Sequence, residues 1–107
     1  MDLGLCVVFM KSLSMPSPRV HTIEITHEDI ERGKRWEPCL CPIALASQRV
    51  WPESVNIIVG PDRGIQLTIN GTDWVEYPLP DTAKLWLADF DAGKFVHPLV
   101  FKVTDPC

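Results

Sequence analysis

Residues 55–77, VNIIVGPDRGIQLTINGTDWVEY, decide the fold because they contain three strand patterns separated by two turn patterns. Apolar residues fill most of 55–59, alternate with polar residues over 65–70 and recur over 74–77, as in strands with a buried face. The first turn has a glycine at each end around Pro-Asp-Arg, and the second contains Asn-Gly, a tight-turn dipeptide. The stretch therefore predicts an antiparallel meander of three strands.

The segment before the meander predicts a strand followed by a short helix. Residues 21–25 alternate polar and apolar side chains, which is typical of a strand with one buried face. Thr26 and Asp29 have the spacing of a capping box at the start of a helix that begins near His27. Gly33 predicts the end of this helix after about two turns.

Two further helices and a closing strand complete the predicted fold. The second helix begins at Pro42 and runs to about Arg49, and a third begins near Thr82. Residues 99–103, with Phe95 and Val96 before Pro98, predict a closing strand. We therefore predict an α+β fold, a twisted and mainly antiparallel sheet of four or five strands with three short helices. The apolar face of the third helix comprises Ala83, Trp86, Leu87 and Phe90.

Length and composition predict one globular domain without affinity for double-stranded nucleic acid. The chain has 107 residues, of which 46% are hydrophobic and 22% charged. Its formal net charge is −4 and its 10 basic residues are scattered, unlike the basic patch of a duplex-binding protein. Residues 1–19 are interpreted as an N-terminal extension or linker, and residues 20–107 as a single α+β domain. This domain is expected to fold alone or as a small homo-oligomer.

The cysteine content and the N-terminal residues indicate the cellular location of the protein. The 4 cysteines lack the dense, even spacing of a secreted disulfide scaffold, which predicts a reducing, cytoplasmic location. The apolar run at residues 3–10 is too short to span a bilayer. Asp2 stands where a secretory signal carries positive charge. The sequence therefore predicts neither export nor a membrane partner.

The start of the second helix is the candidate site. Cys41 and Pro42 lie where unpaired amide groups and the helix dipole favour an anion. Arg35 and Trp36 precede them and could add a guanidinium and an indole face. Arg35, Trp36, Cys41 and Pro42 are therefore the predicted binding residues for a small anion or nucleotide. The alternative is that Arg35 caps a carbonyl at the end of the first helix and Trp36 covers the core.

Cys39 and Cys41 leave three interpretations open. The thiol of Cys41 could be acidified at the helix start, as in a thiol-dependent enzyme or a redox protein. Both thiols could bind zinc, or both could simply pack as small apolar side chains. We predict no catalytic residue, no cofactor and no metal, since no catalytic constellation accompanies the pair. Candidate completions of a zinc site are His21, His27, His97, Cys6 and Cys107.

Trp51 and Trp74 each border a turn. Trp74 begins the third predicted strand of the meander, and the sequence leaves open whether its indole forms an interface or packs on the sheet. Trp51 follows the second helix and is expected to pack.

Several of these segments together resemble a known group of proteins. The order is Ile-Glu-Ile-Thr at 23–26, Asp-Ile at 29–30, Gly33, Arg35, and Cys-Pro-Ile-Ala-Leu-Ala at 41–46. This order resembles a group of short proteins of bacteriophages and some bacteria that has no established activity, and the resemblance covers most of residues 22–101. It implies, by analogy, a non-enzymatic accessory protein that counters a host defence in the bacterial cytoplasm. Such a protein would bind a host effector protein or sequester a nucleotide signal.

Overall fold

A computed structural model describes residues 19–106, and within them the fold is α+β, as predicted. The predicted extension at residues 1–19 lies, apart from Arg19, outside the described residues. No helix in the described part has the length and apolar character needed to cross a membrane. In chain order the elements are β1 (Val20–Ile25), α1 (His27–Arg32), α2 (Pro42–Val50), β2 (Asn56–Gly60), β3 (Gly64–Thr68), β4 (Trp74–Tyr77), α3 (Asp81–Asp91) and β5 (Leu99–Thr104).

The strands pair antiparallel, as predicted, but within residues 19–106 they form two sheets, of two and three strands, rather than a single sheet of four or five. β2, β3 and β4 form the predicted meander, and β1 pairs separately with β5. The edge of β2 hydrogen-bonds instead to the loop between α1 and α2. The Val59 amide donates to the carbonyl of Pro38 in this loop at 2.9 Å. β5 begins only at Leu99, so Phe95 and Val96 are not part of the closing strand.

The core lies between the sheets and the helices α2 and α3. The first turns of α2 are buried, as their apolar sequence predicts. Trp51 is buried as expected, with its ring centroid 4.8 Å from that of Tyr77. The predicted apolar face of α3 is confirmed, since its buried residues are Ala83, Trp86, Leu87 and Phe90.

The predicted capping box of α1 is confirmed. The Asp29 amide donates to Oγ1 of Thr26 at 3.2 Å, and the Thr26 amide donates to Oδ2 of Asp29 at 2.9 Å. Gly33 ends the helix as predicted, but its backbone is extended rather than left-handed. Its missing side chain matters for packing, because a Cβ there would lie 2.5 Å from Cγ of Pro42. Gly33 thus allows the end of α1 to approach the start of α2 closely.

A polar cluster joins the two sheets. Asp105 accepts a hydrogen bond from Tyr77 at 3.0 Å and lies 2.7 Å from Nε2 of His21. Burial, together with the Asp105 carboxylate, raises the pKa of Tyr77 to about 12. Hydrogen bonding to His21 and Tyr77 lowers the pKa of Asp105 despite partial desolvation. The tyrosine therefore stays protonated and serves as a hydrogen-bond donor between β4 and the end of β5.

Candidate ligand-binding site

The loop between α1 and α2 is closed by its own backbone. The Lys34 amide donates to the carbonyl of Leu40 at 2.9 Å, and the Leu40 amide donates to the carbonyl of Glu37 at 3.0 Å. Together with the Pro38–Val59 hydrogen bond, these contacts hold the loop against β2. The residues predicted to bind a ligand therefore lie on or beside a defined loop rather than a loosely attached one.

Trp36 has a left-handed backbone conformation. Its φ is +62°, a region that non-glycine residues enter at a cost. The Trp36 amide donates to Oδ1 of Asp91 at 3.0 Å, and this bond helps to hold the turn. Trp36 is 74% exposed, so the alternative in which it covers the core is wrong.

Cys41 and Pro42 are buried, so their side chains do not have the exposure that their predicted role in binding an anion requires. Cys41 is only 2% exposed, and Pro42 is among the fully buried side chains because it packs on Gly33. Burial raises the pKa of the Cys41 thiol to about 11, and Asp91 acts in the same direction. The amide groups of Ala44 and Ile43 favour the thiolate but are outweighed. The interpretation in which the helix start acidifies the Cys41 thiol is therefore contradicted, because its pKa is raised rather than lowered.

The two thiols should differ in reactivity. Cys39 is exposed and Cys41 is buried, so iodoacetamide at neutral pH should alkylate Cys39 while Cys41 reacts at least about 100-fold more slowly. Peptide mapping by mass spectrometry distinguishes the sites, and alkylation in urea is the control that Cys41 is chemically competent. Labelling of Cys41 in the native protein as fast as Cys39 would contradict the burial described above.

Arg35 occupies a different place from Cys41. Its Nη1 lies against Gly93, at the position that a side chain on Gly93 would fill. Gly93 has a φ of +80°, so both its conformation and its small size suit this contact. Arg32, Arg49 and Arg63 each pair with a carboxylate, whereas Arg35 forms no ion pair with any residue in 19–106. Within residues 19–106, no carboxylate therefore competes with an anion for this guanidinium.

Arg35 lines a cleft of about 410 Å³ between α1 and the segment after α3, large enough for a small-molecule ligand. Phe95 is 83% exposed there, and its ring contacts His97 edge-on at a centroid distance of 4.8 Å. The cleft offers cationic side chains next to an aromatic face, the combination that suits a phosphorylated planar ligand. We call it the Arg35 cleft; its principal lining residues are His27, Glu31, Arg35, Phe90, Lys94 and Phe95.

Trp36 and Cys41 line a second cleft, of about 190 Å³. We call it the Trp36 cleft; its principal lining residues are Trp36, Glu37, Pro38, Val59, Leu87 and Asp91. The structure therefore does not bring Arg35 together with the other predicted residues. The single predicted pocket is corrected to two clefts, and the ligand-binding roles of Arg35 and Trp36 stay predictions.

Trp74 lies at the start of β4, at an edge of the three-stranded sheet, where it is paired with Thr68. Trp74 is 45% exposed, so its indole can contact both the sheet and the surface of a partner. Its interface role stays a prediction.

Of the residues considered as zinc ligands, those within residues 19–106 are His21, His27, His97, Cys39 and Cys41. Within residues 19–106, no three His, Cys, Asp or Glu side chains come together in a way that could hold a metal ion. Cys39 and Cys41 are both free thiols. Cys6 and Cys107 lie outside the described residues.

Comparison of the chain with protein-family models, with curated proteins and with solved structures finds no match. The resemblance to the phage group therefore stays a prediction that rests on its motif.

Proposed function

We propose that this protein is a non-enzymatic accessory protein of phage type that counters a host defence by binding, and that it sequesters a nucleotide signal in the Arg35 cleft. The observation that carries the proposal is the guanidinium of Arg35, exposed in a cleft and without a carboxylate partner in residues 19–106. The site of action would be the cytoplasm of a bacterial host cell.

The charges of the Arg35 cleft favour a phosphate group. Arg35 can donate two parallel hydrogen bonds to phosphate oxygens. Lys94 lies in the same cleft, and among residues 19–106 its ammonium pairs only with Asp89, in an exposed ion pair at 3.5 Å that a phosphate can replace. His27 adds a further donor, and Glu31 is the acidic residue among the lining side chains. Positive charge therefore exceeds negative charge inside the cleft although the whole chain is acidic.

The aromatic side of the cleft suits a nucleobase. Phe95 presents most of its ring to solvent, and an exposed phenylalanine of this kind is a surface on which a base can stack. Stacking on an aromatic side chain contributes about 1–3 kcal/mol per base. A ligand that combines phosphate and base would use both ends of the cleft.

Calorimetric titration with a panel of cyclic and linear nucleotides tests this proposal. We expect at least one nucleotide to bind, its phosphate-free nucleoside not to bind, and Arg35→Ala to weaken affinity by at least about tenfold, the effect of losing a charged hydrogen bond. Arg63→Ala is the matched control, because Arg63 is exposed on the turn between β2 and β3 and pairs only loosely with Glu76, at 3.6 Å. Equal affinities for the Arg35→Ala and native proteins would contradict the proposal, as would the absence of any binder.

Blocking of a host effector protein is the second candidate function, favoured by a separate observation. Trp36 and Trp74 are 74% and 45% exposed, and tryptophan is among the residues that most often dominate binding energy in protein interfaces. The two candidates use different surfaces, so each can be tested without the other.

A further inference from the structure

The Trp36 cleft combines an apolar floor with an acidic rim. Pro38, Val59 and Leu87 line it together with the indole of Trp36. Glu37 and Asp91 are its charged lining residues, and no basic residue of the described chain lines it. Its volume of about 190 Å³ is that of a site for one side chain rather than for a peptide segment.

The acidic rim is not neutralised by the described part of the protein. Asp91 uses Oδ1 to accept the Trp36 amide, and neither Asp91 nor Glu37 forms an ion pair within residues 19–106. Carboxylates beside an apolar surface attract a group that has an apolar stem and a cationic end. Lysine and arginine are the side chains with that construction.

Trp36 favours arginine over lysine. A guanidinium is planar, stacks on an indole face and donates in parallel to a carboxylate, whereas an ammonium is a compact, strongly hydrated charge. The turn at Trp36, with its φ of +62° and its amide bonded to Asp91, holds Trp36 and one carboxylate in the lining of the same cleft before any partner arrives. Such preorganisation reduces the entropy lost on binding.

We propose that the Trp36 cleft receives one arginine side chain of a partner protein, with the guanidinium between the Trp36 indole and the carboxylates of Glu37 and Asp91. The inference rests on the second candidate function, the blocking of a host effector protein. It adds the chemistry of the partner, whose contact surface carries an arginine. The net charge of −4 on this chain favours the approach of such a basic surface.

NMR titration with N-acetyl-arginine methylamide tests the proposal on the full chain. We expect saturable shifts of the Trp36 indole resonance and of the Val59 and Asp91 amides, with a millimolar dissociation constant typical of one side chain. The citrulline analogue, which has the same shape without the charge, should cause no saturable shift. Equal shifts with the citrulline or lysine analogue would overturn the assignment to arginine, and so would the absence of saturable shifts at these residues.

Charge-removing variants test whether the carboxylates of the cleft bind the arginine, without removing the hydrogen bond that holds the turn. Glu37→Gln with Asp91→Asn removes both charges but retains an oxygen that can accept the Trp36 amide, and should weaken arginine binding by at least about tenfold. Glu53→Gln, an exposed acidic residue outside the cleft, is the matched control and should bind as the native protein does. Unchanged affinity in the double variant would overturn the proposal.

Two further measurements distinguish this inference from the nucleotide proposal and from self-association of the chain. Arg35→Ala should retain arginine binding, so loss of nucleotide binding in that variant leaves this inference intact. Shifts at Trp36 that depend on protein concentration without any probe would assign the cleft to a second copy of the chain and overturn the inference.

Discussion

Replacement of Asp29 by alanine is expected to lower the free energy of unfolding by about 2–4 kcal/mol, the sum of a lost helix cap and lost charged hydrogen bonds. Asp29 is buried, and its carboxylate accepts hydrogen bonds from Arg49 Nη1 at 2.8 Å and Nη2 at 2.6 Å. It also accepts the Thr26 amide at the start of α1. One carboxylate thus caps α1 and connects it to α2. Urea unfolding of the native and variant proteins measures the loss.

The same carboxylate should make stability depend on pH. Burial raises the pKa of Asp29, but Arg49 and the Thr26 amide outweigh it and leave the pKa below its usual value. The stabilisation is therefore present above the unfolded-state pKa of about 4 and is lost as the pH falls through the lower folded-state pKa. Asp29→Asn should reduce this acid sensitivity. Glu28→Ala is the control, because Glu28 forms only an exposed pair with Arg32 at 3.1 Å and should change stability by less than about 1 kcal/mol.

Replacement of Gly64 by alanine should destabilise the protein by about 3 kcal/mol or more. Gly64 has a φ of +75°, which an L-residue adopts at a cost of about 1–2 kcal/mol. A Cβ would also overlap the carbonyl oxygen of Tyr77 and lie 2.8 Å from Cα of Pro78. These are backbone atoms of the adjacent β4 and the residue after it, so they cannot move aside without disturbing the meander. Thermal and urea unfolding measure the effect.

Alanine substitutions at two other glycines distinguish the cost of the backbone conformation from the cost of steric overlap. Gly71 has a φ of +86°, but beyond its own chain neighbours no heavy atom of the described residues lies within 4 Å of the position that a Cβ would occupy, so Gly71→Ala should cost only the conformational part, about 1–2 kcal/mol. Gly60 has neither restriction, and Gly60→Ala should be nearly neutral. Equal losses at Gly64 and Gly71 would mean that crowding against β4 contributes nothing.

Local patterns predicted most of the elements because their determinants are close in sequence. The alternation over residues 55–77 corresponds to the expected meander, and Thr26 and Asp29 form the expected capping box. The division into two sheets depends instead on contacts distant in sequence. β1 and β5 pair from Val20 with Thr104, and the loop at Pro38 engages the edge of β2. Neither contact has a local signature.

The candidate site was only partly predictable for a related reason. Arg35 and Trp36 are adjacent in sequence, but the left-handed turn at Trp36 accompanies their separation into different clefts. No sequence pattern predicts a positive φ at a tryptophan. Phe95 was missed as part of the Arg35 cleft because its apolar neighbourhood predicts a closing strand. Its position between Gly93 and Pro98, both of which interrupt regular structure, was the available signal.

The His21–Asp105–Tyr77 cluster was missed because its members are up to 84 positions apart. Each member fits its strand or strand end without reference to the others. From the sequence, His21 stands out only as a possible metal ligand. Hydrogen bonds of this kind follow from sheet packing and could be inferred only once the two sheets were placed.

The nucleotide proposal is tested most directly by NMR of the complex, with the arginine side-chain resonances assigned. Titration with the tightest-binding nucleotide should shift the Arg35 Nε–H, Gly93 and Phe95 resonances in one saturable transition and leave those of Trp36 and Arg63 unchanged. Binding accompanied by shifts elsewhere, with the Arg35 side chain unaffected, would contradict the assignment of the ligand to the Arg35 cleft.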